Sequence, residues 1–141
     1  MIDLAVCMSL QEAGYGVYGD TLFFGVSPVL DSGSVSSTFG LYVNSQTVDV
    51  QGDLYTDSIT ISSRYDDVLE QGLTMYKLLW WVNNDFRSTC SLSCEPISTL
   101  RFDHVRVYPC KGVDFDAIDG QGRWVKSVRF DVSYKLLPIF D

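Results

Sequence analysis

The chain has 141 residues, of which 46% are hydrophobic, 13% aromatic and only 20% charged. That length and composition predict one folded domain spanning residues 1–141 and exclude a disordered chain, which needs low hydropathy and high charge. A net charge of -8 excludes a protein that wraps nucleic acid, because neutralising phosphate takes clustered Lys and Arg.

Taken in chain order, residues 2–13 predict a short amphipathic helix. Ile2, Val6, Leu10 and Ala13 share a face, Asp3 sits in the first turn, and Gly14 is the stop. The glycine-spaced run Gly14–Gly19 reads as a turn, since no Lys-Ser/Thr follows to make it a phosphate loop. Thr21–Val26 predicts a strand closed by Ser27-Pro28, and Asp31–Ser37 a Ser/Gly-rich loop. Phe39–Val43 and Thr47–Val50 predict a short hairpin around Asn44-Ser45. Ser58–Ser63 alternates as a half-buried strand, with Ile59 and Ile61 on one side and Thr60 and Ser62 on the other.

Asp66–Asn84 predicts the longest helix, capped by Asp66 or Asp67. Val68, Leu69, Leu73, Met75, Tyr76, Leu79, Trp80 and Val82 predict its apolar stripe, and Glu70, Gln71 and Lys77 lie off it. Trp80 and Trp81 cannot both face the core. Arg87–Ser98 reads as a polar loop, Leu100–Tyr108 as a strand stopped at Pro109, Asp119–Gly122 as a turn, and Val128–Leu136 as an alternating strand. The fold class is therefore α+β: a mixed, mainly antiparallel sheet packed by a short N-terminal helix and one long central helix.

The sequence offers little chemistry. His104 is the single histidine and lies inside a predicted strand. Cys90 and Cys94, with His104 and Cys110, could supply zinc ligands, but the spacing is irregular and lacks a paired C-x2-C; a Cys90–Cys94 disulfide and free thiols are the other readings. Asp66-Asp67 and Asp114/Asp116 read as a helix cap and a solvated loop rather than a carboxylate pair. We expect no enzyme, cofactor or metal. No signal peptide or membrane-length apolar run is visible, so synthesis in the cytoplasm is expected. Tyr15, Tyr18, Phe39, Tyr42, Tyr55 and Phe115 fall near predicted turns, where aromatic residues suit protein interfaces.

Charge is divided along the chain. Residues 1–63 contain seven acids and no base, a balance of -7; residues 64–141 contain eleven acids and ten bases, a balance of -1. Such a split concerns association rather than fold.

Four stretches give the chain a likeness. Glu12–Gly25 followed by Val26-Ser-Pro28 makes a short helix and "LF-x-G-x-x-P"; Ser58–Arg64 with Tyr65-Asp-Asp67 makes a strand ending in Arg before the main helix; Gly112–Arg123, with Asp119, Gly120 and Arg123, makes a loop before the last strand; Ser127–Tyr134 makes "S-x-x-F-x-V-x-Y". In this order, over about Leu4 to Leu136, the chain resembles the tail terminator (tail completion) and minor tail proteins of long-tailed bacteriophages. The resemblance implies a mixed sheet with two helices and no catalytic residues. It also implies a hexameric ring in the virion, at the head-tail interface. That ring would cap the tail tube and join it to the head-tail connector or a head-completion protein.

In that setting the charge division suggests a head-to-tail contact. The base-free surface, with Asp49, Asp53, Tyr55 and Asp57, would meet Arg64, Arg101, Arg106, Arg123, Lys126 and Arg129 of the next subunit. Genome DNA would pass through an acidic lumen without sequence-specific binding. The other readings are a different virion ring component, such as a head-completion or tail tube protein, and a small metal-binding module or hydrolase. A tube subunit usually carries a long β-hairpin arm, and Phe39–Val50 reads as too short for one.

Overall fold

The computed structural model describes residues 2–24, 37–93 and 100–138. Helix α1 is Ile2–Glu12, and it buries Ile2, Val6 and Leu10 as expected, and also Leu4, Ala5 and Cys7. It stops as its glycine predicts. Gly14 adopts φ +87°, its N–H donates to the Gln11 carbonyl, and the Tyr15 N–H donates back to the Leu10 carbonyl. This paired closure satisfies carbonyls that the helix end would otherwise leave open.

The strands are β1 (Leu22–Phe24), β2 (Ser37–Val48), β3 (Leu54–Tyr65), β4 (Ser91–Ser93), β5 (Leu100–Val107), β6 (Val113–Ile118) and β7 (Trp124–Pro138). The described residues form a seven-stranded sheet in the order β1-β2-β3-β7-β5-β4, with β6 also paired to β7. β1 runs parallel to β2 and the other pairings are antiparallel, so the expected mixed α+β class holds. Of the predicted loop Asp31–Ser37, only Ser37 is described, and it begins β2. Gly25–Pro28 lies outside the described residues.

Several sequence readings change, among them the polar loop Arg87–Ser98, which holds β4. The hairpin around Asn44-Ser45 does not form; β2 runs straight through as one strand with a bulge there, and pairs with β3 from Ser37↔Tyr65 to Val48↔Tyr55. The turn falls instead at Asp49–Asp53, where Gly52 takes φ +74° and the Asp49 carboxylate accepts from the backbone N–H groups of Asp53 and Leu54. A side chain that closes a turn on itself is a common use of Asp. β6 lies in what reads as a loop. β3 is buried along both faces rather than one, since Thr60 and Ser62 are buried along with Ile59 and Ile61.

Register sorts the sheet into two faces. Leu41, Ile61 and Val128 lie opposite one another, as do Val43, Ile59 and Phe130. These residues share one face, and both helices pack on it in one continuous apolar core. Phe86, in a single 3-10 turn (Phe86–Ser88), meets Phe130 there edge to face. The opposite face carries Asn44, Thr60, Arg129 and Ser127 and has no helix among the described residues.

Helix α2, Val68–Asn83, is where sequence and structure part most sharply. Asp67 caps it, accepting from Leu69 N–H at 2.9 Å and Glu70 N–H at 3.2 Å. The buried ridge is Gln71, Met75, Leu78 and Val82. Leu69, Leu73, Tyr76 and Trp80, expected in the core, are 82%, 60%, 73% and 58% exposed. Each set follows a 4-3-4 spacing, and at 3.6 residues per turn the two ridges lie about 160° apart. Gln71, expected outside, is wholly buried. Its Nε2 donates to the Ser63 carbonyl, Ser63 Oγ and the Trp124 carbonyl at 3.3, 3.0 and 2.9 Å. One amide thus ties α2 to β3 and β7. Of the tryptophan pair, Trp81 turns in and stacks on Phe86 at 4.8 Å between ring centroids.

Candidate interface surfaces

The topology reproduces the charge division in space. The base-free residues 1–63 build α1, β1, β2 and most of β3, which is one half of the sheet. The bases lie at the end of β3 and across β7, β5 and the segments that join them. β1 closes the sheet at one edge and β4 at the other, so the acidic and base-bearing halves end at opposite edges.

Within this frame the ten predicted contact residues separate. Asp53 sits in the exposed β2–β3 turn, 3.8 Å from Lys135 Nζ, beside Asp49. Arg101 is exposed and paired with Asp103 at 2.8 Å. Arg106 holds its guanidinium 5.1 Å over the Tyr108 ring. Arg129 is exposed, and its Nε donates to Thr60 Oγ1, which itself donates to Asn44. Lys126 is half-buried beside Tyr76 and Phe115. These groups are available to a partner.

The other four, Arg64, Arg123, Asp57 and Tyr55, serve the fold instead. Asp119 accepts from Arg64 at 3.0 Å and from Arg123 Nε at 3.2 Å, and its second oxygen accepts the backbone N–H groups of Gln121 and Arg123. Arg123 is 2% exposed, so its charge is spent inside the subunit rather than at a surface. Arg64 is largely engaged in the same cluster. Burial pushes the Asp119 carboxyl up, but the Arg123 and Gln121 backbone bonds and the two guanidiniums outweigh it, and the net shift is downward.

Asp57 is the third, at 1% exposed. Its Oδ2 accepts from the Tyr134 hydroxyl at 2.9 Å, and Gln46 donates to that hydroxyl at 3.1 Å. Tyr55 stacks on Tyr134 with ring centroids 5.6 Å apart, so the outermost predicted aromatic belongs to a buried cluster. Burial first, then the Asp57 hydrogen bond and charge, raises the Tyr134 phenol far above the usual tyrosine value. The sign follows directly. A folded-state pKa raised above the unfolded value near 10 gives stability that is full below pH 10 and lost as pH rises beyond it. Tyr134→Phe is expected to cost about 2 kcal/mol at pH 7, because the buried carboxylate loses its donor. It is also expected to flatten the alkaline loss of stability, which denaturant titrations at pH 7 and above pH 10 would measure.

The candidate reactive groups lie on different parts of the fold. His104 is exposed at a bulge in β5, with φ 54°. The Cys7 thiol is pushed up to about 11 by burial and by Asp3, which keeps it protonated and unreactive at neutral pH. Cys110 is buried, and its thiol faces the Gly112 carbonyl at 3.6 Å. Cys94 lies outside the described residues, and no three His, Cys, Asp or Glu among the described residues converge as a metal site. Asp114 and Asp116 are exposed on β6, with Asp116 at a bulge.

Sequence reading placed Tyr18 and Phe115 at a candidate interface, and both are exposed, but it missed the α2 ridge and Ile118. Besides the α2 ridge, Phe115 and Ile118 on β6 are more than half exposed, whereas Phe39, expected near a turn, is in the core. An open groove of about 640 Å³ lies between the C-terminal ends of α1 and α2. Tyr15, Trp80 and Trp81 form its walls, Glu12 and Asp85 its acids, and Lys77 its base. Among the described residues no helix is long and apolar enough to cross a membrane. Compared with protein-family models and with curated proteins, the chain matches none.

Proposed function

We propose that this chain is a structural protein of a long-tailed bacteriophage virion. In this reading it forms a hexameric ring that caps the tail tube and joins it to the head-tail connector or head-completion protein. The observation that carries the reading is the spatial charge division: a base-free half of the sheet ends at one edge and a base-bearing half at the other. A subunit with unlike edges favours a heterologous contact, which closes into a ring when the rotation between copies is right. The exposed apolar ridge on α2 adds the kind of surface that a monomer rarely leaves open. The mixed sheet with two helices agrees with the family that the sequence resembles. In this role the chain is no enzyme, and an acidic lumen lets DNA slide through without adhering.

Light scattering at low and high salt, with negative-stain images, tests this reading. The expected result is a uniform ring at low salt that loosens as ionic strength approaches about 1 M, where the Debye length shrinks to about 3 Å. A chain that stays monomeric at both salts and does not bind tail tubes contradicts it.

One observation favours a second reading, the tail tube subunit. The β2–β3 hairpin has strands of 12 residues each, far longer than the hairpin expected from sequence, and its outer part from Asn44 to Val48 is exposed. A tube subunit would use such an arm for stacking. The same images separate the two: single rings support a terminator, and long tubes support a tube subunit.

A further inference from the structure

We propose that the groove between the C-terminal ends of α1 and α2 seats an arginine side chain from a second copy of this chain. This inference rests on the ring reading but moves the contact from the sheet edges to the two faces of the subunit, the helix layer of one copy and the helix-free sheet face of the next.

The groove has the chemistry of a guanidinium site. Trp80 stands exposed at the groove with Trp81 and Tyr15 beside it, and Glu12 and Asp85 offer carboxylates. Arginine is the side chain that uses both, because its planar cation stacks on indole while its N–H fork meets carboxylate. Both helices end beside the groove, and neither has a basic residue in its last turn. Lys77 stands on the lining and offsets part of the negative charge. Asp85 lies near enough to Tyr15 to add to the rise that burial imposes on its phenol.

The groove also continues into an apolar surface. Trp80 is the last residue of the exposed α2 ridge, which runs back through Tyr76 and Leu73 to Leu69, about 16 Å along the helix at 1.5 Å per residue. A tryptophan at the junction of an apolar ridge and a charged pocket is the usual make-up of a binding hot spot.

Charge complementarity selects the occupant. The sheet face away from the helices carries Arg129, and Arg106 stands on it opposite Ser133. Both arginines are exposed. Arg106 lies over the Tyr108 ring on that face. The groove lies in the helix layer and the arginines on the far side of the sheet. The two patches are therefore different surfaces of one subunit, and their pairing is heterologous, as a ring requires.

Two variants and their mixture test this. One carries Trp80→Ala with Asp85→Lys and loses the groove; the other carries Arg106→Glu with Arg129→Glu and loses the arginines. Sedimentation velocity reads assembly, and circular dichroism confirms that each variant is folded. Each variant alone is expected to self-associate at least about 30-fold more weakly than wild type. Mixed together, they are expected to form a 1:1 dimer and nothing larger, because each retains one good half of the contact. Variants that assemble like wild type overturn this inference and leave the ring reading standing. Variants that fail alone and also fail to pair when mixed overturn the match between these two surfaces. A wild-type chain that remains monomeric at about 1 mM overturns the ring reading itself.

Discussion

Replacing Gln71 by glutamate is expected to cost the fold at least about 3 kcal/mol at pH 7, a loss of about 10 °C in thermal midpoint for a chain of this size. The side chain at this position is wholly buried and points its amide N–H groups at two backbone carbonyls and a hydroxyl. A carboxylate there has no donor to accept from and faces the carbonyls of Ser63 and Trp124. Its folded-state pKa must therefore rise above the unfolded value near 4.3. The deficit is full at neutral pH and shrinks as pH falls towards that value, since the protonated acid can donate one hydrogen bond. Thermal melts of both proteins at pH 7 and pH 5 would show the gap narrowing. A variant as stable as wild type at pH 7 would mean that the amide does not tie α2 to the sheet.

The second large effect is expected at Asp119. Its carboxylate is the shared partner of Arg64 and the buried Arg123, and it also closes the Asp119–Arg123 turn through two backbone N–H groups. Asp119→Ala is expected to destabilise by about 3 kcal/mol, because it strands a guanidinium that has little access to water. Asp119→Asn keeps the size and an acceptor but not the charge, and is expected to fall between. The pH dependence has a definite sign. The native carboxyl is held below its ordinary value, so its contribution is present above the unfolded value near 3.9 and is lost as pH falls below it. Urea titrations between pH 7 and pH 3 should find a steeper acid loss in wild type than in Asp119→Ala.

Both predictions concern residues whose roles sequence patterning could not assign. Helix α1 was legible because one signal, Gly14, does one job. β7 was legible because Val128, Phe130, Val132 and Tyr134 alternate cleanly and all four are buried. Helix α2 was legible as a helix but not in its orientation. Apolar residues occupy two opposed ridges, and counting them blends Leu69, Leu73, Tyr76 and Trp80 with Met75, Leu78 and Val82. Gln71 then looks like a surface residue, because only the sheet beside it shows where its hydrogen bonds go. The Asn44-Ser45 pair has turn composition, yet β3 continues past it and the extra residue becomes a bulge. Among the candidate contact residues, charge type was readable but use was not. Arg123 and Asp57 look no different in sequence from Arg129 and Asp53, and burial alone separates them.

The same α2 misreading bears on function. Apolar residues taken as core left little for a partner; placed outside, they become a ridge that meets an aromatic, acidic groove. Assembly is therefore the point on which the account stands. Image averages of the assembled wild-type chain test it most directly. A closed hexameric ring is expected, with the helix layer of each copy against the helix-free sheet face of the next. A two-fold dimer joined ridge to ridge, or particles no larger than one subunit, would contradict it.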